Sequence, residues 1–363
     1  MMLKMVGLIF SLTLLLTRLA SAADARVELI YPNGLAIDSA GNLLISDIAT
    51  HQILKLDKAG ALTVIAGTGE GGFGGDGGPA VAAQLHAPHD ITFDGDGNLL
   101  IADTFNHRIR RIDSRGIITT VMGDGKTTTL NNPQSVAIDR EGNLFIADTY
   151  NHVVKRVDRD GKMSIFAGTE AGLAGDKGPA TKCQLNLPQA VAVSPDGTVY
   201  ISDSANSRIR HVGKDGIIQT LAGSGPGSGD GGAGFGGDGG PVEKAKIFSP
   251  ADLKFNSLGE LYFSDSGNNR IRLITHGVMV SIAGNGSAAL GGDGGKAISA
   301  MLNTPQKIAV AADGTIYIAD RVNHRVRKVD SRGVITTTAG GSKPGGIMVD
   351  PTVLPPTAPP NAR

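Results

Sequence analysis

The chain repeats one unit six times, and this repetition constrains its fold more than any other feature. In every unit an aspartate follows a proline at a fixed interval of 15 residues. The prolines are Pro32, Pro88, Pro133, Pro188, Pro250 and Pro305, and the aspartates are Asp47, Asp103, Asp148, Asp203, Asp265 and Asp320. The distance between successive prolines varies from 45 to 62 residues. Insertions therefore fall between the units, as is typical of loops that join compact modules.

Each unit contains four short apolar runs that are separated by turn-forming residues. In the second unit the runs are 90–94, 98–103, 108–113 and 117–121. Their length and their content of β-branched residues favour strands. Glycine supplies 52 of the 363 residues, about twice its usual share, which suits many tight turns. Three short turns in succession predict a four-stranded antiparallel sheet.

One such sheet has two apolar faces and is not stable alone. Six sheets can cover one another by stacking face to face around an axis. The sequence therefore predicts an all-β fold, a six-bladed β-propeller with four-stranded antiparallel blades. An open solenoid is the alternative, but it needs polar end caps that the sequence does not show.

The two ends of the chain differ from the repeats. Residues 1–22 combine a basic start, an apolar run too short to cross a bilayer and a small-residue cleavage pattern that ends at Ala22. We expect a secretory signal peptide there, no transmembrane segment after its removal, and a periplasmic or extracellular location. The propeller is expected over 23–345. Residues 346–363 contain five prolines and predict an extended tail.

The charge balance argues against nucleic acid as a partner. The chain has 34 basic and 34 acidic residues, whereas a nucleic-acid surface needs an excess of positive charge. The third run of each unit is basic, with pairs such as Arg108 and Arg110. Because aspartates are interleaved with these residues, we expect ion pairs between blades. The single cysteine, Cys183, cannot form an internal disulfide bond.

Segments around the second and third runs resemble the NHL repeat. They are 98–110, 142–152 and 316–327, and they contain Asn-His at 106–107, 151–152 and 323–324. The stretches at 75–80, 175–180, 237–241 and 292–295 are similar to loops of exported bacterial NHL proteins and of the teneurin NHL propeller. Three of them contain Gly-Asp-Gly-Gly, and the stretch at 175–180 contains Gly-Asp-Lys-Gly. The resemblance implies a six-bladed propeller that serves most often as a rigid platform for proteins or other ligands. A minority of such propellers are enzymes, and some cytosolic members bind RNA.

Residues that recur in every unit predict architecture, because a catalytic residue is needed only once. The recurrent aspartate stands at the start of a turn, where its carboxylate can accept backbone N–H groups. Four histidines occupy equivalent positions in different units, so ring symmetry keeps them too far apart to bind one metal ion. They are His51, His107, His152 and His324. We interpret both sets as turn residues.

The candidate site consists of residues that break the repeat. The first run of each unit should lie nearest the axis, and alanine is common there, but charged residues stand in the second, fifth and sixth units. Most residues that directly follow the proline are polar. We predict a polar ligand-binding mouth at one end of the channel, formed by His89, Asp90, Gln134, Gln189, Asp252, Lys254, Gln306 and Lys307. The alternative is a structural Asp–Lys pair with a wet channel lining.

These features favour a monomeric, exported binding scaffold for a protein, peptide or glycan. No residue set predicts a catalytic mechanism, and no cofactor is expected. The alternative function is a metal-dependent propeller lyase or hydrolase with its site at the channel mouth. A divalent metal would need several convergent ligands and an open position, for which His89, Asp90 and Asp252 are the candidates.

Overall fold

The computed structural model describes residues 28–223 and 234–341. The predicted signal peptide and the proline-rich tail lie outside the described residues. Within the described residues six antiparallel sheets each contain four strands that are consecutive in the chain. This arrangement confirms the predicted six-bladed propeller. No helix in these two ranges is long and apolar enough to span a membrane.

The strand bounds follow the repeat. Blade 1 comprises β1 (Pro32–Ile37), β2 (Leu43–Asp47), β3 (Gln52–Leu56) and β4 (Leu62–Ala66). Blade 2 comprises β5 (Pro88–Phe93), β6 (Leu99–Asp103), β7 (Arg108–Ile112) and β8 (Ile118–Met122). Blade 3 comprises β9 (Pro133–Ile138), β10 (Leu144–Asp148), β11 (Val153–Val157) and β12 (Met163–Ala167).

The second half of the propeller repeats the pattern with one addition. Blade 4 comprises β13 (Pro188–Val193), β14 (Val199–Asp203), β15 (Arg208–Val212) and β16 (Ile218–Ala222). Blade 5 comprises β18 (Pro250–Phe255), β19 (Leu261–Asp265), β20 (Arg270–Thr275) and β21 (Val278–Ala283), and a two-residue strand, β17 (Gly240–Pro241), pairs with β21. Blade 6 comprises β22 (Pro305–Val310), β23 (Ile316–Asp320), β24 (Arg325–Val329) and β25 (Ile335–Gly340).

Short 3-10 turns complete the secondary structure. Five of them join the second and third strands of blades 2 to 6, at Thr104–Asn106, Thr149–Asn151, Ser204–Asn206, Ser266–Asn268 and Arg321–Asn323. Four more lie in the long loops that enter blades 2, 4, 5 and 6, at Ala80–Ala82, Ala180–Lys182, Val242–Lys244 and Ala297–Ser299.

The turn between the first and second strands is closed by side chains. In blade 2 the Asp94 carboxylate accepts the backbone N–H and the side-chain amide of Asn98, both at 2.8 Å. Gly97 lies between them with φ of 80°, a left-handed conformation that glycine adopts without steric cost. Asp38 with Asn42 and Asp139 with Asn143 make the same bonds in blades 1 and 3. These residues therefore serve the turns.

Apolar cores lie between neighbouring blades. Leu44 and Ile53 of blade 1, for example, share one buried cluster with Ile91 and Ile101 of blade 2. Each fully buried side chain of this size contributes about 1.5–3 kcal/mol of transfer free energy. Every blade is thus covered on both faces, which meets the requirement that a lone blade cannot satisfy.

The ring closes where blade 6 meets blade 1. The first strands of these blades, β22 and β1, contact each other directly. The sequence left open whether the segment before Pro32 adds a strand or packs on one end. Residues 28–31 form no strand, and Leu29 packs in one apolar cluster with Leu35 of blade 1 and Val326 of blade 6. The segment therefore seals the junction through side-chain packing.

The recurrent aspartate ends the second strand of every blade and is fully buried in all six. The Asp148 carboxylate accepts the backbone N–H of Asn131 at 2.5 Å and the side-chain amide of Asn151 at 2.7 Å. It also lies 2.7 Å from the Lys155 ammonium group. One carboxylate thus joins the segment before the first strand, the turn and the third strand, which supports the interpretation as a turn residue.

The recurrent histidines end the turn between the second and third strands in a left-handed conformation, with φ of 55–58°. The Nδ1 atom of His107 accepts the backbone N–H of Asn132 at 3.1 Å, and Nδ1 of His152 accepts that of Leu187 at 3.2 Å. Both donors, Asn132 and Leu187, directly precede the proline of the next blade. These histidines therefore link adjacent blades, in agreement with their structural interpretation.

The basic third strands form ion pairs, but with the aspartate of their own blade and with the loop that enters it, not between blades as the sequence predicts. Arg110 is fully buried, and its guanidinium group lies 3.2 Å from Asp103 and 2.8 Å from Asp76. Asp76 belongs to the Gly-Asp-Gly-Gly stretch in the loop that connects blade 1 to blade 2. Equivalent buried pairs are formed by Arg210, Arg272 and Arg327. The arginines thus bind each inter-blade loop to the blade that it enters.

We predict that Asp148→Ala lowers the free energy of unfolding by about 3–5 kcal/mol, because Lys155 would remain buried without its carboxylate. Loss of neutral turn bonds alone would cost about 1–2 kcal/mol. Urea denaturation measures the difference. Asp160→Ala in the exposed turn of the same blade is the control, with an expected change below about 0.5 kcal/mol. A loss in Asp148→Ala no larger than that of the control would contradict this account.

Candidate functional site

The central channel has two distinct ends. Each first strand begins at its proline on one face of the propeller, which we call the proline face. The same face carries the turns between the second and third strands, because the proline pairs with the aspartate that ends the second strand, as in Pro32 opposite Asp47. The first strand ends at the opposite face, which we call the hairpin face.

A buried ionic cluster around Lys307 crosses the channel. This side chain donates from Nζ to the backbone carbonyl of Gln189, 3.0 Å away and two blades distant. Its Nζ also lies 3.5 Å from Asp252 Oδ1 and 3.9 Å from Asp90 Oδ2. Lys307 is 2% exposed and both carboxylates are buried. One side chain thus connects blades 6, 4, 5 and 2 across the axis.

The two carboxylates of this cluster also have neutral donors. Asp90 accepts the hydroxyl of Ser135 at 2.7 Å, and Asp252 accepts the backbone N–H of Ile308 at 2.8 Å. Burial raises the pKa of Asp252, an effect that the positive charges of Lys254 and Lys307 oppose. The cluster has the features of the structural Asp–Lys pair that was the alternative interpretation, since each charge has a partner inside the protein.

Lys254 lies toward the other end of the channel. Its Nζ is 3.8 Å from Asp252 Oδ1, and a quarter of its side chain is exposed. It lines a cavity of about 250 Å³ at the hairpin face together with Phe93 and Val310. Burial works against its charge, but the Asp252 and Asp90 carboxylates raise the pKa of Lys254. Lys254 is therefore separated from the predicted site residues at the proline face.

His89 occupies the proline face, directly after Pro88. Its Nδ1 lies 2.9 Å from the carbonyl oxygen of Ala87. Because a carbonyl oxygen only accepts, Nδ1 carries the proton and Nε2 retains its lone pair. Burial lowers the pKa of His89 to about 4, and the positive charges of Arg321 and Lys307 add to this effect. The imidazole is therefore neutral at pH 7 and held in one tautomer.

Amide side chains complete the proline face. Gln134, Gln189 and Gln306 each follow a proline and are half-buried, and Gln306 donates to the hydroxyl of Ser266 at 3.3 Å. The buried amide of Asn33 donates to the backbone carbonyl of His89 at 2.6 Å. We call His89, Gln134, Gln189 and Gln306 the polar mouth. Their side chains offer both donors and acceptors, and ligand binding by them stays a prediction.

Arg321 is not among the predicted site residues, because those were chosen from the first strands alone. It begins the 3-10 turn of blade 6, where blades 2 to 5 have a hydroxyl residue, namely Thr104, Thr149, Ser204 and Ser266. It is 4% exposed, and its guanidinium carbon lies 5.7 Å from the centroid of the Tyr31 ring. Burial lowers the pKa of Arg321 to about 10. The same search for departures from the repeat, applied to the turns, would find it.

The candidate metal ligands do not converge. No group of three His, Cys, Asp or Glu side chains within 28–223 and 234–341 could hold a metal ion. Asp90 and Asp252 are instead bound to Lys307 and to neutral donors, and only His89 retains an open nitrogen. The arrangement provides a neutral imidazole, three amides and a buried guanidinium at one face of the channel.

We predict that His89 makes the protein less stable in acid. Its folded-state pKa of about 4 lies below the ordinary 6.5, so its stabilising contribution is complete above pH 6.5 and declines as the pH falls toward 4. The difference in unfolding free energy, wild type minus His89→Gln, should decrease by up to about 3 kcal/mol between pH 7 and pH 4. Denaturant titrations across this range measure it, and a constant difference would contradict the buried neutral state.

The family model described as the Teneurin NHL domain matches residues 68–128, 125–213, 169–228 and 285–345, which together exceed half of the chain. Among curated proteins, teneurin-1 of Mus musculus is 30% identical over 333 residues, which covers 81% of this chain and 10% of the relative. The chain therefore spans only a tenth of that protein.

Solved structures share the fold at low identity. An auxiliary nutrient binding protein from Bacteroides thetaiotaomicron aligns with a TM-score of 0.61 and 17% identity, covering 86% of this chain and 70% of the other. Virginiamycin B lyase from Staphylococcus aureus aligns with a TM-score of 0.53 and 14% identity, covering 87% and 88%. These two similarities concern the fold. The family match, together with the six repeats and the six blades, means that this chain belongs to the Teneurin NHL domain family of β-propellers.

Proposed function

We propose that this protein is an exported binding scaffold that takes a polar group of a protein, peptide or glycan ligand at the proline face of its channel. The observation that carries the proposal is the polar mouth. Its residues lie where the first strands begin, next to the ionic cluster in which Lys307 and its carboxylates cross the channel. A ligand therefore meets His89 and the three glutamines without passing through the propeller.

The frame suits recognition because it holds these side chains in fixed places. Each mouth residue is the second residue of a first strand and lies at an irregularity of the sheet, where the pairing with the second strand skips it. Such β-bulges are common next to binding and active sites, because they redirect a side chain. Sites on strands are positioned more accurately than sites on loops. His89 is fixed further by the bond from Nδ1 to Ala87. Binding to such a surface requires little ordering of the protein, which reduces its entropic cost.

The alternative function is a metal-dependent lyase or hydrolase at the same mouth. The fold allows it, since propellers with similar folds include both a nutrient-binding protein and a lyase. Binding is favoured because the carboxylates that a metal would need, Asp90 and Asp252, already neutralise Lys307. The expected signal peptide supports export, and cleavage after Ala22 is tested by N-terminal sequencing of the secreted protein.

We predict that the polar mouth binds at least one compound from a panel of neutral sugars, sugar acids, amino acids and dipeptides. Isothermal titration should show one site, and the double variant Gln134→Ala/Gln189→Ala should weaken binding at least about tenfold. Gln219→Ala on the exposed outer strand of blade 4 is the matched control and should bind like the wild type.

Two results would contradict the binding proposal. One is the absence of binding across the whole panel, and the other is unchanged affinity in the double variant. Protein treated with a chelator should bind as before. Stoichiometric, tightly held metal in the purified protein, together with loss of binding on chelation, would favour the lyase or hydrolase instead.

A further inference from the structure

Arg321 is a buried cation for which residues 28–223 and 234–341 provide no ionic partner. Its side chain is 4% exposed, and its Nε has no hydrogen-bond partner. In the described part of the chain no carboxylate lies within ion-pair distance of it, whereas Arg110, Arg210, Arg272 and Arg327 each have at least one. Burial of a charge without a partner is costly. The guanidinium group therefore stands in a site that lacks the anion its chemistry requires.

The repeat shows that the architecture does not need this arginine. In blades 2 to 4 the equivalent hydroxyl donates to the proline carbonyl of the next blade, as Thr104 does to Pro133 at 2.7 Å and Thr149 does to Pro188 at 2.7 Å. Blade 6 replaces this small hydroxyl by the guanidinium of Arg321. The substitution removes a hydrogen bond between blades. Arg321 therefore has a role other than holding the blades together.

The charges around the channel leave Arg321 unneutralised. Lys307 lies between Asp90 and Asp252, and Lys254 also pairs with Asp252. His89, which lies close enough for the charge of Arg321 to affect its protonation, is neutral. The carboxylates of the channel cluster are therefore engaged by the two lysines, and the guanidinium of Arg321 stands beside neutral side chains, a combination that attracts an anionic group.

We propose that Arg321 binds the carboxylate of a small organic acid, such as a sugar acid or an amino-acid-like carboxylate, at the polar mouth. The inference rests on the proposed function and names the chemical class of its ligand. A planar guanidinium can bind both oxygens of a carboxylate in parallel, which a lysine cannot do. The Tyr31 ring beside the guanidinium limits its movement, and the glutamines can bind the ligand's hydroxyl or amide groups.

Four probes test the proposal as two matched pairs. Galacturonate is compared with galactose, and N-acetylglycine with N-acetylglycinamide, by isothermal titration of the full mature protein up to about 10 mM ligand. We expect at least one acid to bind about tenfold or more tightly than its neutral partner. The pair that shows the larger preference identifies a sugar-acid or an amino-acid-like ligand.

Arg321→Thr is the key variant, because it introduces the residue that blades 2 and 3 have at this position. We expect it to lose the preference for the acid while the melting temperature stays equal or rises, since an unpartnered buried charge is removed. Arg321→Lys should keep part of the preference. A purely structural role for Arg321 would instead lower the melting temperature and leave the preference intact.

The outcomes separate this proposal from the proposed function. Acids that bind no better than their neutral partners, or an undiminished preference in Arg321→Thr, would overturn the carboxylate assignment. Failure of both acids to bind would overturn it as well. The proposed function would survive each of these results if a neutral compound bound in a manner sensitive to Gln134→Ala/Gln189→Ala.

Discussion

A buried carboxylate at the end of each second strand is the interaction on which the propeller depends. It accepts a backbone N–H from the segment before the first strand and, in five blades, a side-chain amide from the following turn. In four blades a buried arginine extends this network to an aspartate of the loop that enters the blade. Because these bonds are shielded from water, breaking one is costly. These bonds hold the strands and turns of each blade together, and the histidines link one blade to the next.

Residues that differ between blades are not part of this repeated network, and they can therefore serve another function. They fall into two groups. The inner group, built on Lys307 with Asp90 and Asp252, satisfies its own charges and joins four blades across the axis. In the outer group, the polar mouth with Arg321, the guanidinium has no carboxylate within ion-pair distance and its Nε has no hydrogen-bond partner among the described residues. A residue that differs from the repeat indicates a candidate binding site only when its charge or polar atoms lack a partner inside the protein.

Much of the fold follows from the sequence, because short turns between antiparallel strands permit one register. The fixed interval of 15 residues corresponds to the pairing of Pro32 with Asp47 and its equivalents. The position of each channel side chain between the proline face and the hairpin face is harder to predict. Alternate residues of β18, Asp252 and Lys254, both face the channel, yet only Lys254 borders the cavity at the hairpin face. The contact of Lys307 with Gln189 depends on how far one side chain reaches across the axis, which local spacing does not encode. Arg321 lies on a turn, outside the strands that line the channel.

Arg321 and the polar mouth are proposed to form one site for an anionic ligand at the proline face. Crystals grown with galacturonate or N-acetylglycine test it most directly through electron density. We expect a carboxylate about 3 Å from the guanidinium nitrogens of Arg321, with the rest of the ligand beside His89 and the glutamines. Density at the hairpin face alone, or an Arg321 side chain paired with a carboxylate of the protein itself, would contradict it.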